Sequence, residues 1–108
     1  MKILVKGIPA SLGVAKGKAR VILPGKSQKL KPGEILVAYI TNASMFVDIM
    51  ANAKAIVTDK GGVTSHPAIV ARELGLPCVV ATGNATKVIK TEMKIVVDGG
   101  KGVIYEQN

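Results

Sequence analysis

The sequence predicts a single α/β domain in which an aliphatic sheet carries helices, and three observations lead there. Apolar residues make up 48% of the 108 and aromatic residues only 3%, so a core must be built from Val, Ile, Leu, Ala and Met. Short apolar runs recur along the chain and are separated by glycine and proline, which is the pattern of buried strands. One strand-like run, Ala55-Ile56-Val57-Thr58, passes through Gly61-Gly62 into a helix-like stretch, the order used in open α/β sheets. A chain of this length buries roughly 60 to 70% of the surface it would expose unfolded, enough for one core.

The elements follow in order. Lys2 to Val5 reads as a short strand, and Gly7 to Gly17 as a glycine-punctuated loop. Lys18 to Leu23 alternates charged and apolar residues, giving a strand with one wet face. Pro24-Gly25 and Pro32-Gly33 bracket a basic loop, and Glu34 to Ile40 is a second apolar strand. Thr41 to Ser44 offers N-caps for a helix whose Phe46, Ile49, Met50 and Ala53 fall at helical spacing and face the core. Cys78 to Ala81 is another buried strand, Thr82 to Thr86 a turn, and Thr86 to Ile89 a helical turn. Lys94 to Val97 and Val103 to Tyr105 make a hairpin across Asp98-Gly99-Gly100-Lys101-Gly102.

The chain's sole histidine stands where the glycine turn meets a helix. Pro67 suits the first helical position, and Gly75 followed by Pro77 is a stop. His66 is thus placed at a helix N-terminus, where unpaired N–H groups and the helix dipole favour an anion. Such an imidazole can be a nucleophile, a general base with Asp59 as the nearest upstream acid, or a ring that merely caps a helix. A metal site is disfavoured, because there is no second histidine, one cysteine and no paired-ligand spacing.

Formal charge is +8, and Lys16, Lys18, Arg20, Lys26, Lys29 and Lys31 fall in one stretch without an acid. That run suits a solvated face, an acidic partner or phosphates. Tyr39, Phe46 and Tyr105 are the only aromatics, with no basic-aromatic interleaving, which argues against nucleic acid. Cys78 lies in an apolar strand and reads as a small hydrophobe. No run is apolar and long enough for a signal peptide or membrane span, so a soluble, cytoplasmic protein is expected.

The stretch Gly61-Gly62-Val63-Thr64-Ser65-His66-Pro67-Ala68-Ile69-Val70-Ala71-Arg72-Glu73-Leu74-Gly75-Leu76-Pro77 resembles the phosphohistidine motif of the mobile, swivelling domain of phosphoenolpyruvate-utilising enzymes. That family includes phosphoenolpyruvate synthase, pyruvate phosphate dikinase and enzyme I of the sugar phosphotransferase system. Gly7 to Gly17, Pro32 to Ala38 and Val97 to Tyr105 are similar to its opening, next strand and close. Pro67 stands where the family more often has Ala or Ser, and Ala81 where it often has Gly.

The resemblance implies a layered β/β/α fold, with residues 1–108 forming one swivelling phosphohistidine domain. It implies that His66 accepts a phosphoryl group, through Nε2, and passes it to a second acceptor. Gly61 and Gly62 would let the donor approach the backbone, and Thr64 and Ser65 would offer hydroxyls to the phosphoryl oxygens or the ring. Thr64 matches a threonine that regulatory kinases modify in some dikinases, Thr41 would lie near the loop, and Arg72 is a further phosphate candidate. No cofactor is expected in this domain, and magnesium only in partner domains. Those partners are nucleotide-binding and phosphoenolpyruvate- or pyruvate-binding domains, in the same enzyme or in trans, without which this phosphotransferase component is catalytically incomplete. The alternatives are a non-catalytic swivel module or a basic nucleic-acid-binding domain.

Overall fold

The computed structural model describes residues 1–23, 29–41 and 51–107. Eight strands and two helices are found there: β1 (Lys2–Lys6), β2 (Ile8–Ser11), β3 (Val14–Ile22), β4 (Ile35–Ala38), β5 (Ala55–Thr58), α1 (His66–Leu74), β6 (Cys78–Val80), α2 (Ala85–Val88), β7 (Lys94–Asp98) and β8 (Val103–Glu106). The strand order is β1-β8-β7-β3-β4-β5-β6-β2.

Strand β3 divides this order into two sheets. Its first half, Val14 to Lys18, pairs antiparallel with β7, while Ala19 to Ile22 pairs parallel with β4. One sheet, β1-β8-β7-β3, is therefore antiparallel; the other, β3-β4-β5-β6, is parallel with β2 added antiparallel at its edge. The chain crosses between sheets a second time at Gly7, which joins β1 to β2 and donates its N–H to the Gly102 carbonyl.

Side-chain alternation then builds the layers. Ile35, Val37, Ala55, Val57 and Val79 face inward against Ala15, Ile95, Val97 and Ile104 of the antiparallel sheet, with Ala85 and Ile89 closing that core. Their neighbours Leu36, Ala38, Ile56, Cys78 and Val80 face the other way, onto Ala68 and Ala71 of α1. The central strands are covered on both faces, which is why β4, β5 and β6 are buried throughout and, apart from Thr58, apolar. The result is antiparallel sheet, mixed sheet, helix: the expected β/β/α layering, in a single α/β domain.

Three local expectations change. Gly7 to Gly17 is not a loop: it forms β2 and the first half of β3, because backbone pairing with β6 and β7 satisfies its polar groups and turns Ala10 and Ala15 inward. The turn expected at Thr86 to Ile89 begins one residue earlier, at Ala85. Helix α1 starts at His66, so Pro67 takes its second position rather than its first. The helix expected around Phe46, Ile49 and Met50 lies outside the described residues.

Candidate phosphohistidine site

The parallel strands β4, β5 and β6 end side by side, and their carboxyl ends hold the loops 39–41, 59–65 and 81–84. Backbone bonds tie these loops together. Asp59 and Lys60 N–H donate to the Ala38 and Tyr39 carbonyls, and Thr82 and Gly83 N–H to those of Thr58 and Asp59. This is the edge where open α/β sheets bind ligands.

The histidine loop is held from within. Thr58 Oγ1 donates to the Lys60 carbonyl at 2.6 Å, and Ser65 N–H and Oγ both donate to the Gly62 carbonyl, at 3.0 and 2.6 Å. Gly61 adopts φ +118°, a region closed to other residues, and a Cβ there would lie 2.9 Å from Ser65 Oγ. Gly62 differs: its φ is not positive and nothing lies within 4 Å of where a Cβ would stand, so its conformation does not require glycine.

Ser65 is the N-cap of α1 by backbone geometry but makes no side-chain cap bond, since its hydroxyl is spent on the turn. His66 is the first helical residue. No acid occupies the first turn, so the positive end of the helix is uncompensated there, although Pro67 removes one of its N–H donors. At the far end Gly75 takes the left-handed conformation, φ 71°, and Leu76 N–H closes onto the Ala71 carbonyl. Ala68 and Ala71 are fully buried, and their small side chains seat the helix close to the sheet.

His66 is half-buried, and its Nδ1 lies 3.2 Å from Thr41 Oγ1. Thr41 itself is buried. No described residue hydrogen-bonds Nε2. Thr64 is exposed, whereas Ser65 is half-buried within the turn. Arg72 reaches back along the helix and donates to the Val63 carbonyl at 2.7 Å and the Ala10 carbonyl at 2.9 Å. It thereby pins the histidine loop to β2 and α1.

Asp59 does not serve the ring. Its carboxylate accepts the Thr86 N–H and hydroxyl, and Thr82 Oγ1 lies 3.5 Å away, so this buried acid caps α2. The side chain that meets Nδ1 is a threonine hydroxyl instead. Beneath α1, burial pushes the Cys78 thiol up to about 12, only partly opposed by the Arg72 charge, which makes it inert. No group of three or more potential metal-ligating side chains occurs among the described residues. Nor is any described helix long and apolar enough to cross a membrane.

Comparison with known proteins bears directly on this site. The family described as PEP-utilising enzyme, mobile domain, matches residues 30–102. A probable phosphoenolpyruvate synthase of Staphylothermus marinus is 53% identical over 108 residues, which is 97% of this chain and 13% of that protein. The phosphoenolpyruvate synthase of Pyrococcus furiosus is 50% identical over 106 residues, again 97% of this chain and 13% of its own length. This chain thus spans about an eighth of the relatives it matches. A solution structure of Enzyme I superposes with TM-score 0.64 and 32% identity, over 75% of this chain and 33% of the other. The holo-form of aconitase X from Thermococcus kodakaraensis shares the fold alone, at TM-score 0.68 and 20% identity over 96% of this chain and 98% of the other. With the histidine loop and α1 inside the matched segment, the chain belongs to the family of mobile domains of phosphoenolpyruvate-utilising enzymes.

Proposed function

We propose that this domain is a phosphoryl carrier and that His66 Nε2 is the atom that takes the group. The observation that carries the reading is the pairing of His66 Nδ1 with the buried Thr41 hydroxyl at the start of α1. In the tautomer where Nδ1–H donates to Thr41 Oγ1, Nε2 holds a lone pair. That lone pair forms the N–P bond as the bond from phosphorus to the donor's leaving oxygen breaks, and the leaving oxygen keeps the electron pair. The resulting imidazolium retains its Nδ1–H, so Thr41 Oγ1 faces a stronger donor than before.

Surroundings support the same reading. The first-turn N–H groups of His66 and Ala68 and the uncompensated helix dipole favour phosphoryl oxygens, and Thr64 presents an exposed hydroxyl two residues away. Arg72 keeps the loop in place through the Val63 and Ala10 carbonyls. Tyr39, Ile40, Val63 and Ile69 are exposed in the loops and helix around the ring, a rim suited to temporary docking.

The donor and acceptor sites then belong to partner domains, one binding nucleotide and one binding phosphoenolpyruvate or pyruvate, in the same enzyme or in trans. Magnesium would be held there with the phosphates. Relatives named phosphoenolpyruvate synthase, of which this chain spans an eighth, support that arrangement.

The test is intact mass after incubation with a phosphoenolpyruvate synthase and its substrates. One phosphate should be gained, labile in acid and stable in alkali. His66→Ala should abolish the gain without unfolding the domain, and Thr41→Val should slow it about 10- to 100-fold by releasing the ring from one tautomer. An acid-stable phosphate, or full labelling of His66→Ala, rules the reading out.

A further inference from the structure

The first three cations of the acid-free basic run, Lys16, Lys18 and Arg20, lie on β3. Arg20 is drawn inward, where Nη2 donates to Glu34 Oε2 at 2.9 Å and Nε to Oε1 at 3.3 Å. Lys16 and Lys18 stand exposed on the outer face of β3, away from α1 and the histidine. The register puts Lys18 directly opposite Lys94 of β7, and Lys16 opposite Val96. Continuing across the sheet, Val96 pairs with Tyr105 and Tyr105 with Ile3.

Like charges directly opposite in an antiparallel pair weaken the sheet. Neither lysine of the Lys18–Lys94 pair is in a salt bridge among the described residues. Glu92 shares a surface depression with Lys18, but Glu34 in the same depression is committed to Arg20. In the next row toward the hairpin, Asp98 turns its carboxylate to the Gly100 and Lys101 N–H groups. Beside the lysines lie apolar side chains: Ile3 is 47% exposed and Val14 61%, while Tyr105 is half-buried. Neither described helix packs on this face, since α1 lies beyond the mixed sheet and α2 closes the inner core.

We propose that the outer face of the antiparallel sheet is a docking surface for an acidic patch on a second protein domain. Carboxylates of that partner relieve the Lys18–Lys94 repulsion, and an apolar centre covers Ile3 and Val14. The apolar components and half-buried Tyr105 favour protein over nucleic acid, which would need free stacking rings or a continuous cationic groove. This surface lies across the molecule from His66, so the proposal stands independently of the phosphoryl-carrier reading.

Titration of the isotope-labelled chain with poly-L-glutamate at about 0.1 M salt, followed by amide chemical shifts, tests it. Shifts should concentrate at Lys16, Lys18, Lys94, Val96 and Tyr105. The double variant Lys18→Glu/Lys94→Glu should bind about tenfold more weakly, whereas Lys54→Glu/Lys87→Glu, with the same change in net charge, should stay within about twofold of the parent. Equal loss in both variants, shifts scattered over other faces, or tighter binding of random duplex DNA at the same salt overturns the proposal. The single variant Lys94→Glu should also melt higher than the parent; a lower melting temperature would remove the repulsion on which the argument stands.

Discussion

At the scale of single residues, the departure at Ala81 has a physical cost. Ala81 sits at φ 56°, the left-handed region where a Cβ crowds the backbone, directly after β6 and next to the site loops. The resemblance marks this position as one where glycine is common, and the backbone explains why. Ala81→Gly relieves the strain but adds freedom to the unfolded chain, so a net gain of about 0.5 to 1 kcal/mol is expected, read as a higher melting temperature. Glycine at 62 is the converse case, since its sequence neighbour Gly61 alone carries the unusual dihedral. Two adjacent glycines look alike in a sequence; only the turn distinguishes them. Family likeness places Thr41 near the loop and offers Arg72 as a phosphate candidate, but the contacts these two side chains make leave no mark in spacing. Thr41 is 25 residues from His66, and Arg72 acts on carbonyl oxygens, which every residue possesses.

Between elements, the Arg20–Glu34 pair fastens β3 to the entry of β4. Burial pushes the Glu34 carboxyl up, but hydrogen bonds from the Arg20 guanidinium and the Lys31 N–H, with both cations' charges, outweigh it and hold it below its ordinary value. On the other side, the Glu34 bond raises Arg20 above its ordinary value. A carboxyl depressed in the folded state contributes stability above its unfolded value of 4.5, and loses it as pH falls through the lower folded value. Glu34→Gln should therefore be less stable than the parent by about 1 to 2 kcal/mol at pH 7, with the gap closing below about pH 4 in thermal melts. Strands β4, β5 and β6 are readable because they are almost wholly apolar runs, and α1 because glycine and proline bracket it. Strand β2 and the start of β3 are not. Gly7, Pro9, Gly13 and Gly17 give a local loop signal there, and pairing with residues some 70 to 80 positions away overrides it.

For the whole molecule, the change of partner within β3 is the joint on which both sheets depend. A Cβ on Gly17 would lie 2.8 Å from the Gly33 carbonyl oxygen, just before the strand changes partner from β7 to β4. Gly17→Ala should cost about 1 to 3 kcal/mol, seen as a lower denaturation midpoint with one unchanged transition by every probe, since neither sheet can loosen alone. The β/β/α layering itself came from family likeness; composition had indicated only an aliphatic sheet with helices, because the division of one strand between two sheets leaves no mark in hydropathy. That division has a further effect at the rim of the molecule. Because β1–β2 and β3 each pass from one sheet to the other, every open row of backbone donors and acceptors among the described residues is only four or five residues long. Such short margins give a neighbouring copy no long template, which protects a small, strongly aliphatic domain from polymerising strand upon strand.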